Sequence, residues 1–396
     1  MAVFSIQGIG LSAYAQTDYE GPNLPNLVLD AKSDGANFVT LSNISEINLQ
    51  TGAIGDYVVN QPDGSVFDGT AKFSDIGPAI AAAEAQGLQV MLKPQIGAVD
   101  PTFGFGNLTD PNEVIADPAA FFASYQAYIL QWAELAQQYH VPILSIGNEM
   151  LAATKPQYTS YWDTLIAAVR QVYSGELTYS ALLPLQTNAS AYNEVQQIQF
   201  WNQLDFAGFD VYPSLTTKLD PSVAQLNAAW QKNVIGGQSQ SYVQSISQLA
   251  ESVGKPVLFT ETGVASFPGA NDRYKYNDSF IGLSTTKSDF QNQANWWASF
   301  FDTWGANKPS WLAGVSYTTI RRATAGRITP TATTSTASPP RRSCRHGTAA
   351  RTIWAGRRTR SPAAHSAIRF LSTAMPFRSR PIPRRRKARH FRRNCR

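Results

Sequence analysis

The sequence predicts an α/β protein built as a single (β/α)8, or TIM, barrel, followed by a disordered basic C-terminal tail. Three observations lead there. Apolar strand-like stretches alternate with helical ones eight times over about 320 residues, the count and size of one barrel with insertions. Several of these stretches are apolar throughout, as strands buried on both faces of a parallel sheet are. Two of them end abruptly in glutamate, where barrel strands deliver side chains to a common mouth.

Taken in order, Phe4 to Tyr14 reads as the first strand and runs into a polar loop, Gln16 to Asn26. Leu27 to Ser33 is a short helical stretch, and Gly35-Ala-Asn-Phe-Val-Thr-Leu-Ser42 is the second strand. The Gly-, Asn- and Asp-rich connection that follows, to about Phe73, is expected to be a long loop, and long loops in compact domains are usually functional or mobile. Ile76 to Gln86 is an Ala-rich helix stopped by Gly87. Leu88-Gln-Val-Met-Leu-Lys-Pro-Gln95 is the third strand, with Lys93 and Gln95 at its mouth. Asp117 and Pro118 supply an N-cap and a first-turn proline to a helix that runs to His140. Its apolar stripe includes Phe121, Tyr125, Ile129 and Trp132. The fourth strand, ending at Glu149, follows at once. Tyr161 to Tyr173 is a helix, Glu176 to Pro184 the fifth strand, and Phe206-Ala-Gly-Phe-Asp-Val-Tyr-Pro213 the sixth, ending in Asp210 and Tyr212. Helices at Val223 to Trp230 and Tyr242 to Ser252 precede the seventh strand, Val257 to Glu261. An aromatic helix from Asp289 to Trp304 and an eighth strand, Trp311 to Tyr317, complete the alternation, and no repeat of solenoid period competes with it.

Charge divides the chain in two. Residues 1–320 hold 10 Lys and 2 Arg against all 28 acidic residues, a net −16. Residues 321–396 hold 20 Arg and 1 Lys with no acid, a net +21 that brings the whole to +5. From about Thr318 the chain is Arg, Pro, Ser, Thr and Ala with few aliphatics, a composition that cannot bury a core. Residues 1–317 are therefore assigned to the barrel and 318–396 to the tail. Two readings of the tail stand. It is a disordered basic arm that binds nucleic acid or another polyanion, although regular aromatic interleaving for base stacking is lacking. Or it is the product of a reading frame shifted just after the eighth strand. Thr, Ala and Arg codons read from their third base encode mainly Asp, Asn, Tyr, Gly, Ser, Pro and Ala, so Thr318-Thr-Ile-Arg-Arg-Ala-Thr-Ala would become the polar loop that should follow a barrel strand.

Both cysteines, Cys344 and Cys395, lie in the tail, so the barrel has no disulfide or cysteine metal site. No His, Cys or carboxylate cluster has metal-ligand spacing, and no cofactor is expected. Met1-Ala-Val-Phe-Ser-Ile lacks a basic region ahead of a long apolar core, so no signal peptide is expected, which leaves a cytoplasmic location or a signal-less export route. No apolar run approaches the ~20 residues that span a bilayer, so no membrane partner is expected.

The two strand-end glutamates carry the chemistry. In Val141-Pro-Ile-Leu-Ser-Ile-Gly-Asn-Glu-Met150 and in Lys255-Pro-Val-Leu-Phe-Thr-Glu-Thr-Gly263, a proline opens an apolar strand and a glutamate, Glu149 or Glu261, closes it. One glutamate beyond a strand reads as a surface carboxylate; two on the same plan suggest a pair facing one pocket. Two carboxyl groups cleave a glycosidic bond, one protonating the leaving oxygen and the other attacking the anomeric carbon or activating water. The acid needs a raised pKa while its partner stays ionised, and burial with like-charge repulsion separates the two. A catalytically inactive carbohydrate-binding barrel is the alternative, as is polyanion binding through the tail.

Ile146-Gly-Asn-Glu149 and Phe259-Thr-Glu-Thr-Gly263 resemble the fourth-strand and seventh-strand signatures of the clan A glycoside hydrolases. With Met91-Leu-Lys-Pro-Gln95, Gly208-Phe-Asp-Val-Tyr-Pro-Ser-Leu-Thr216 and Lys255 to Gly269, the wider pattern resembles glycoside hydrolase family 113, the β-mannanases, over roughly Phe4 to Tyr317. The resemblance implies a retaining endo-acting enzyme on a β-linked, mannose-containing polysaccharide or oligosaccharide, with Glu149 as acid/base and Glu261 as nucleophile. It implies that Asn148 hydrogen-bonds the sugar hydroxyl beside the reacting carbon, that Tyr212 lies near the nucleophile, and that Lys93 and Gln95 line the glycone side. Where the family pattern has His, this chain has Gln95, and the polar and aromatic loop expected after strand eight is missing.

Other residues read more plainly. Asp210 is a mouth residue or the cap of a local turn. Trp296 and Trp297, adjacent on a helix, face different ways, so at least one belongs to the core. Trp201 and Trp230 are sugar platforms or, more commonly for Trp, packing against the barrel. His140 suits a helix C-terminus without any catalytic role. Gly104-Phe-Gly106 lacks the strand-to-helix context of a phosphate loop.

Overall fold

The computed structural model describes residues 3–13, 17–20, 23–60, 66–100, 104–106, 108–110, 112–183, 194–232, 241–272 and 289–318; the tail beyond Thr318, and both readings of it, lie outside them. Eight parallel strands close on themselves: β1 (Ile6–Ala13), β2 (Phe38–Asn48), β3 (Gln89–Leu92), β4 (Ile143–Asn148), β5 (Glu176–Leu183), β6 (Ala207–Val211), β7 (Val257–Thr262) and β8 (Leu312–Thr318). Each pairs with the next, and β8 pairs with β1, so the sheet has no open edge. Helices α1 (Asn23–Ser33), α2 (Phe73–Ala85), α3 (Pro118–Gln138), α4 (Thr159–Val172), α5 (Val223–Trp230), α6 (Tyr242–Val253) and α7 (Phe290–Phe300) alternate with the strands on the plan of a (β/α)8 barrel, with α5 and α6 both between β6 and β7 and only short turns described between β5 and β6.

The helix starts follow from their caps. Asp117 accepts from the Ala120 amide at 3.0 Å with Pro118 in the first turn, while Ser222 with Gln225 and Ser241 with Gln244 form capping boxes on α5 and α6. Gly254, at φ 66°, ends α6 where a left-handed residue is required. The α3 stripe is buried against the sheet, but the helix stops at Gln138, so His140 lies past the cap at φ 52° rather than in the last turn. Asp289 is the cap of α7, which gives way at Phe301–Gly305 to a π-helical turn. Trp296, Phe300 and Trp304 bury one stripe of this segment against Trp230 and Phe259. Trp230 is thereby fully enclosed, and Trp201 donates its indole N–H to the Val195 carbonyl at 2.9 Å; both serve packing, not sugar contact.

Two expectations need correction. The connection after Ser42 is not one long loop. β2 continues past the barrel to Asn48 and carries a side sheet: Ile54–Asp56 lies antiparallel to it, Gln95–Asp100 parallel, and Gly104–Gly106 antiparallel to the latter. Val58–Asn60 and Val66–Asp68 form a further antiparallel pair. The hairpin turn is made by the Asn48 side chain, which accepts from the Gln50 and Thr51 amides, and by Gly52 at φ 72°, where a Cβ would meet the Ala120 backbone at 2.7 Å. The third strand is also not continuous to Gln95. Pro94 supplies no N–H to the ladder, so β3 ends at Leu92 and Gln95 opens the side strand on the β2 extension.

Inside the barrel the lining changes along the axis. Phe38, Met91, Ile143 and Leu258, with Ile6, Phe206 and Ala313 against them, form an apolar floor. Buried hydroxyls follow, with Thr40 and Ser316 paired at 2.8 Å and Ser145 and Ser180 at 3.1 Å. Charged side chains fill the end beyond.

Candidate active site

At the end of β4, Ile143, Leu144, Ser145 and Ile146 are all buried, and the strand stops because Glu149 takes φ 49°. A left-handed non-glycine residue costs about 1–3 kcal/mol and persists only where its surroundings over-determine it. Here they do. The Glu149 amide donates to the Ser180 carbonyl at 2.8 Å, and the Met150 amide to the Tyr179 hydroxyl at 2.8 Å. Tyr125 donates to the Ile146 carbonyl at 2.9 Å. Gly147 lets these rings close in, since a Cβ there would lie 2.5 Å from the Tyr179 ring and 3.1 Å from the Tyr125 hydroxyl. Beside Glu149, the half-buried Asn148 keeps its side-chain oxygen enclosed without a hydrogen-bond partner among the described residues.

At the end of β7 the arrangement is ionic. A register shift between β6 and β7 sets Asp210 opposite Glu261. Lys93 bridges the two, donating to Asp210 Oδ2 at 3.1 Å and to Glu261 Oε1. Gln95 Nε2 donates to the same Glu261 oxygen at 3.1 Å, and the Tyr212 hydroxyl to Oε2 at 2.7 Å. Thr260 donates to Asp210 Oδ1 at 2.6 Å. Lys93 and Asp210 have no exposed surface, while the Glu261 side chain keeps 17 % exposure. Lys93 and Asp210 therefore stand behind Glu261 in this structure, and Gln95 and Tyr212, both half-buried, flank it.

The two corners share one electrostatic field. Burial pushes the Glu149 carboxyl well above the usual carboxylate range; the charges of Asp210 and Glu261 push it further, Lys93 pulls it down and Glu194 adds to the rise. Burial disfavours the charged form of Lys93, but Asp210, Glu261 and Glu149 outweigh it and raise its pKa above the usual lysine value. Asp210 is raised to about 7 by burial, with Lys93 opposing and Glu261 adding to the rise. All seven residues singled out in the sequence thus end at one face of the barrel: Lys93, Gln95, Asp210, Tyr212 and Glu261 in one bonded cluster, and Asn148 and Glu149 on the adjoining strand end.

Sequence reasoning missed the support under Glu149. Glu194, in a single turn at Glu194–Gln197, is fully buried and accepts from Tyr179 at 2.6 Å, from the Leu182 amide at 2.6 Å and from Thr154 at 3.0 Å. Nothing around Ala191-Tyr-Asn-Glu194 marks it, since it belongs to no strand end and its partners lie on other elements. Trp297 is half-buried, edge-on to Tyr317 at 4.8 Å, while Trp296 beside it is core.

Residues 45–321 match the model of Glycoside Hydrolase Family 113. Among solved structures, one described as the complex structure of a GH113 β-1,4-mannanase superposes with a TM-score of 0.57 at 18% identity, covering 80% of this chain and 88% of that one. The GH113 β-mannanase AaManA from Alicyclobacillus acidocaldarius, in complex with ManMIm, superposes with a TM-score of 0.54 at 20% identity over the same shares. No curated protein matches the sequence.

Proposed function

The chain belongs to glycoside hydrolase family 113 and is a glycoside hydrolase, and on that premise we propose that it is a retaining endo-acting enzyme on β-1,4-mannan, with Glu261 as nucleophile and Glu149 as acid/base. The solved neighbours are named as β-1,4-mannanase and β-mannanase, which motivates the substrate. The observation that carries the roles is the opposed setting of the two carboxyls. Three donors, one of them cationic, converge on Glu261, as suits a carboxylate that must attack. The Glu149 carboxyl, raised well above the usual carboxylate range by burial and by the charges of Asp210 and Glu261, suits an acid.

In the first step Glu149 gives its proton to the glycosidic oxygen as Glu261 bonds to the anomeric carbon and the carbon–oxygen bond breaks. The Glu261 charge is then consumed in the glycosyl ester. One of the charges that held Glu149 up is gone, so its affinity for a proton falls as its task changes to deprotonating water. Water attacks from the face the leaving group vacated, Glu149 regains its proton, and Glu261 is released. Asn148, half-buried beside this centre, is the residue assigned to hydrogen-bond the sugar hydroxyl next to the reacting carbon. Lys93, itself held by Asp210, aligns Glu261 from behind rather than touching sugar.

Reducing-end release on mannan, glucan and xylan tests the proposal. Release on mannan above the other two is expected, together with its loss in Glu261→Ala of unchanged fold. Wild-type turnover in that variant would remove the nucleophile assignment, and binding of mannan without release would make the chain a silent carbohydrate-binding barrel.

A further inference from the structure

We propose that Glu194, acting through Tyr179, is a positioning residue for Glu149: it fixes the left-handed backbone on which the acid/base side chain is mounted. The inference rests on Glu149 being the acid/base. A residue at φ 49° relaxes toward extended or helical backbone unless both flanking peptides are held. The peptide before Met150 is held by one donor–acceptor contact, its amide to the Tyr179 hydroxyl. That hydroxyl must present a lone pair to Met150 and so must send its own proton elsewhere; Glu194 Oε1 takes it at 2.6 Å. Thr154 and the Leu182 amide fix the Glu194 carboxylate in turn, and Gln197 holds Thr154 at 2.8 Å and the Leu151 carbonyl at 2.8 Å. The chain from Met150 to Thr154 is thus tied at both ends to one buried carboxylate. Glutamine cannot replace its ionised form, the form present above about pH 7. Its NH2 would face either the Leu182 amide, donor against donor, or Tyr179, whose hydroxyl proton would then lack its acceptor.

Tyr179→Phe and Glu194→Gln test this against two substrates, mannohexaose and 2,4-dinitrophenyl β-mannobioside. The first needs protonation of its leaving oxygen; the second does not. The expected result is a ~10²-fold fall in kcat on mannohexaose, the scale of an ångström-sized misplacement. The dinitrophenolate burst should stay within about 3-fold of wild type, because an activated leaving group needs no general acid. Azide should then restore turnover of the aryl glycoside and yield the β-glycosyl azide. The ratio of the two rates does not depend on how much protein is folded. Thr154→Val, which removes one of the donors to Glu194, gives the same ratio in milder form should Glu194→Gln not fold. Wild-type kcat on mannohexaose in Tyr179→Phe and Glu194→Gln overturns the proposal, as does an equal loss on both substrates without azide response. Glu149→Ala is the control. If azide does not rescue it, the acid/base reading itself fails and takes the positioning role with it; if azide rescues it alone, only the positioning role fails.

Discussion

Glu149 and Glu261 are the same residue at the ends of two strands of one barrel, and the protein holds them by opposite means. The β7 corner uses side-chain charge: Lys93 lies between Asp210 and Glu261, with Gln95 and Tyr212 completing the grip. The β4 corner uses backbone: a left-handed residue, a glycine that lets two tyrosines approach, and amides tied to Ser180 and Tyr179. No cation is bonded to Glu149 among the described residues. Three donors converge on one carboxyl, while burial and like charges raise the pKa of the other; under the roles proposed above, the two glutamates would differ through their neighbours alone.

The largest effect that can break this comparison is stereochemical. With azide present, Glu261→Ala should produce the α-glycosyl azide, because azide takes the place of the missing nucleophile, after a loss of kcat on the order of 10⁶-fold without it. Glu149→Ala should lose ~10²- to 10⁴-fold on mannan and give the β-glycosyl azide, formed on the intact ester. Product anomers determined by NMR decide the matter, and exchanged anomers would reverse the two assignments.

Next comes the ionic corner. Lys93→Met removes the cation from between two carboxylates and should destabilise the fold by about 3–5 kcal/mol in denaturant unfolding. Adding Asp210→Asn to it should recover part of that loss, because the remaining carboxylate then has no like charge beside it. If Lys93→Met unfolds like wild type, the bridge does not hold the corner together.

These corners were unequally legible in the sequence. Glu149 and Glu261 stood out because each closes an apolar run opened by proline, a pattern local to ten residues or fewer. Lys93, Gln95, Asp210 and Tyr212 were visible as polar residues at strand ends, but their direction was not: full burial of Lys93 and Asp210 depends on how β3, β6 and β7 meet. The Tyr179–Glu194 support was invisible, since a buried carboxylate in a short turn has no periodicity and acquires meaning only from Met150 and Leu182 on other elements. The side sheet was hidden for a related reason. Ile44 to Asn48 reads as a loop until Gln95–Asp100 supplies its partner, and Pro94 disguises where one strand ends and the other begins.

A third effect bears on the β4 corner and its pH response. Burial raises the Glu194 carboxyl to about 7, against the donors Tyr179, Leu182 and Thr154 and with a further push from Asp210, whereas in the unfolded chain it titrates near its ordinary value. Between those two values the folded protein keeps a proton that the unfolded chain has lost. This contribution to stability is therefore greatest at low pH and declines as pH rises toward about 7, by up to ~3 kcal/mol. Unfolding free energies at pH 4.5 and 7.5, compared between wild type and Glu194→Gln, should show that much less decline in the variant. Equal declines would mean that Glu194 is ionised in the fold throughout.

The smallest effect concerns Gln95. Gln95 contributes one neutral donor to Glu261 Oε1, an oxygen that Lys93 already holds by charge. Gln95→Ala should therefore remove about 1 kcal/mol of alignment, roughly a 5-fold loss in kcat/KM on mannohexaose, because the charge-assisted bond remains. Gln95→His keeps a donor on the same side strand and should lose less. A loss in Gln95→Ala as large as that in Lys93→Met would show that the amide, and not the ammonium, sets the direction of the Glu261 carboxylate; the two corners would then differ less than their charges suggest.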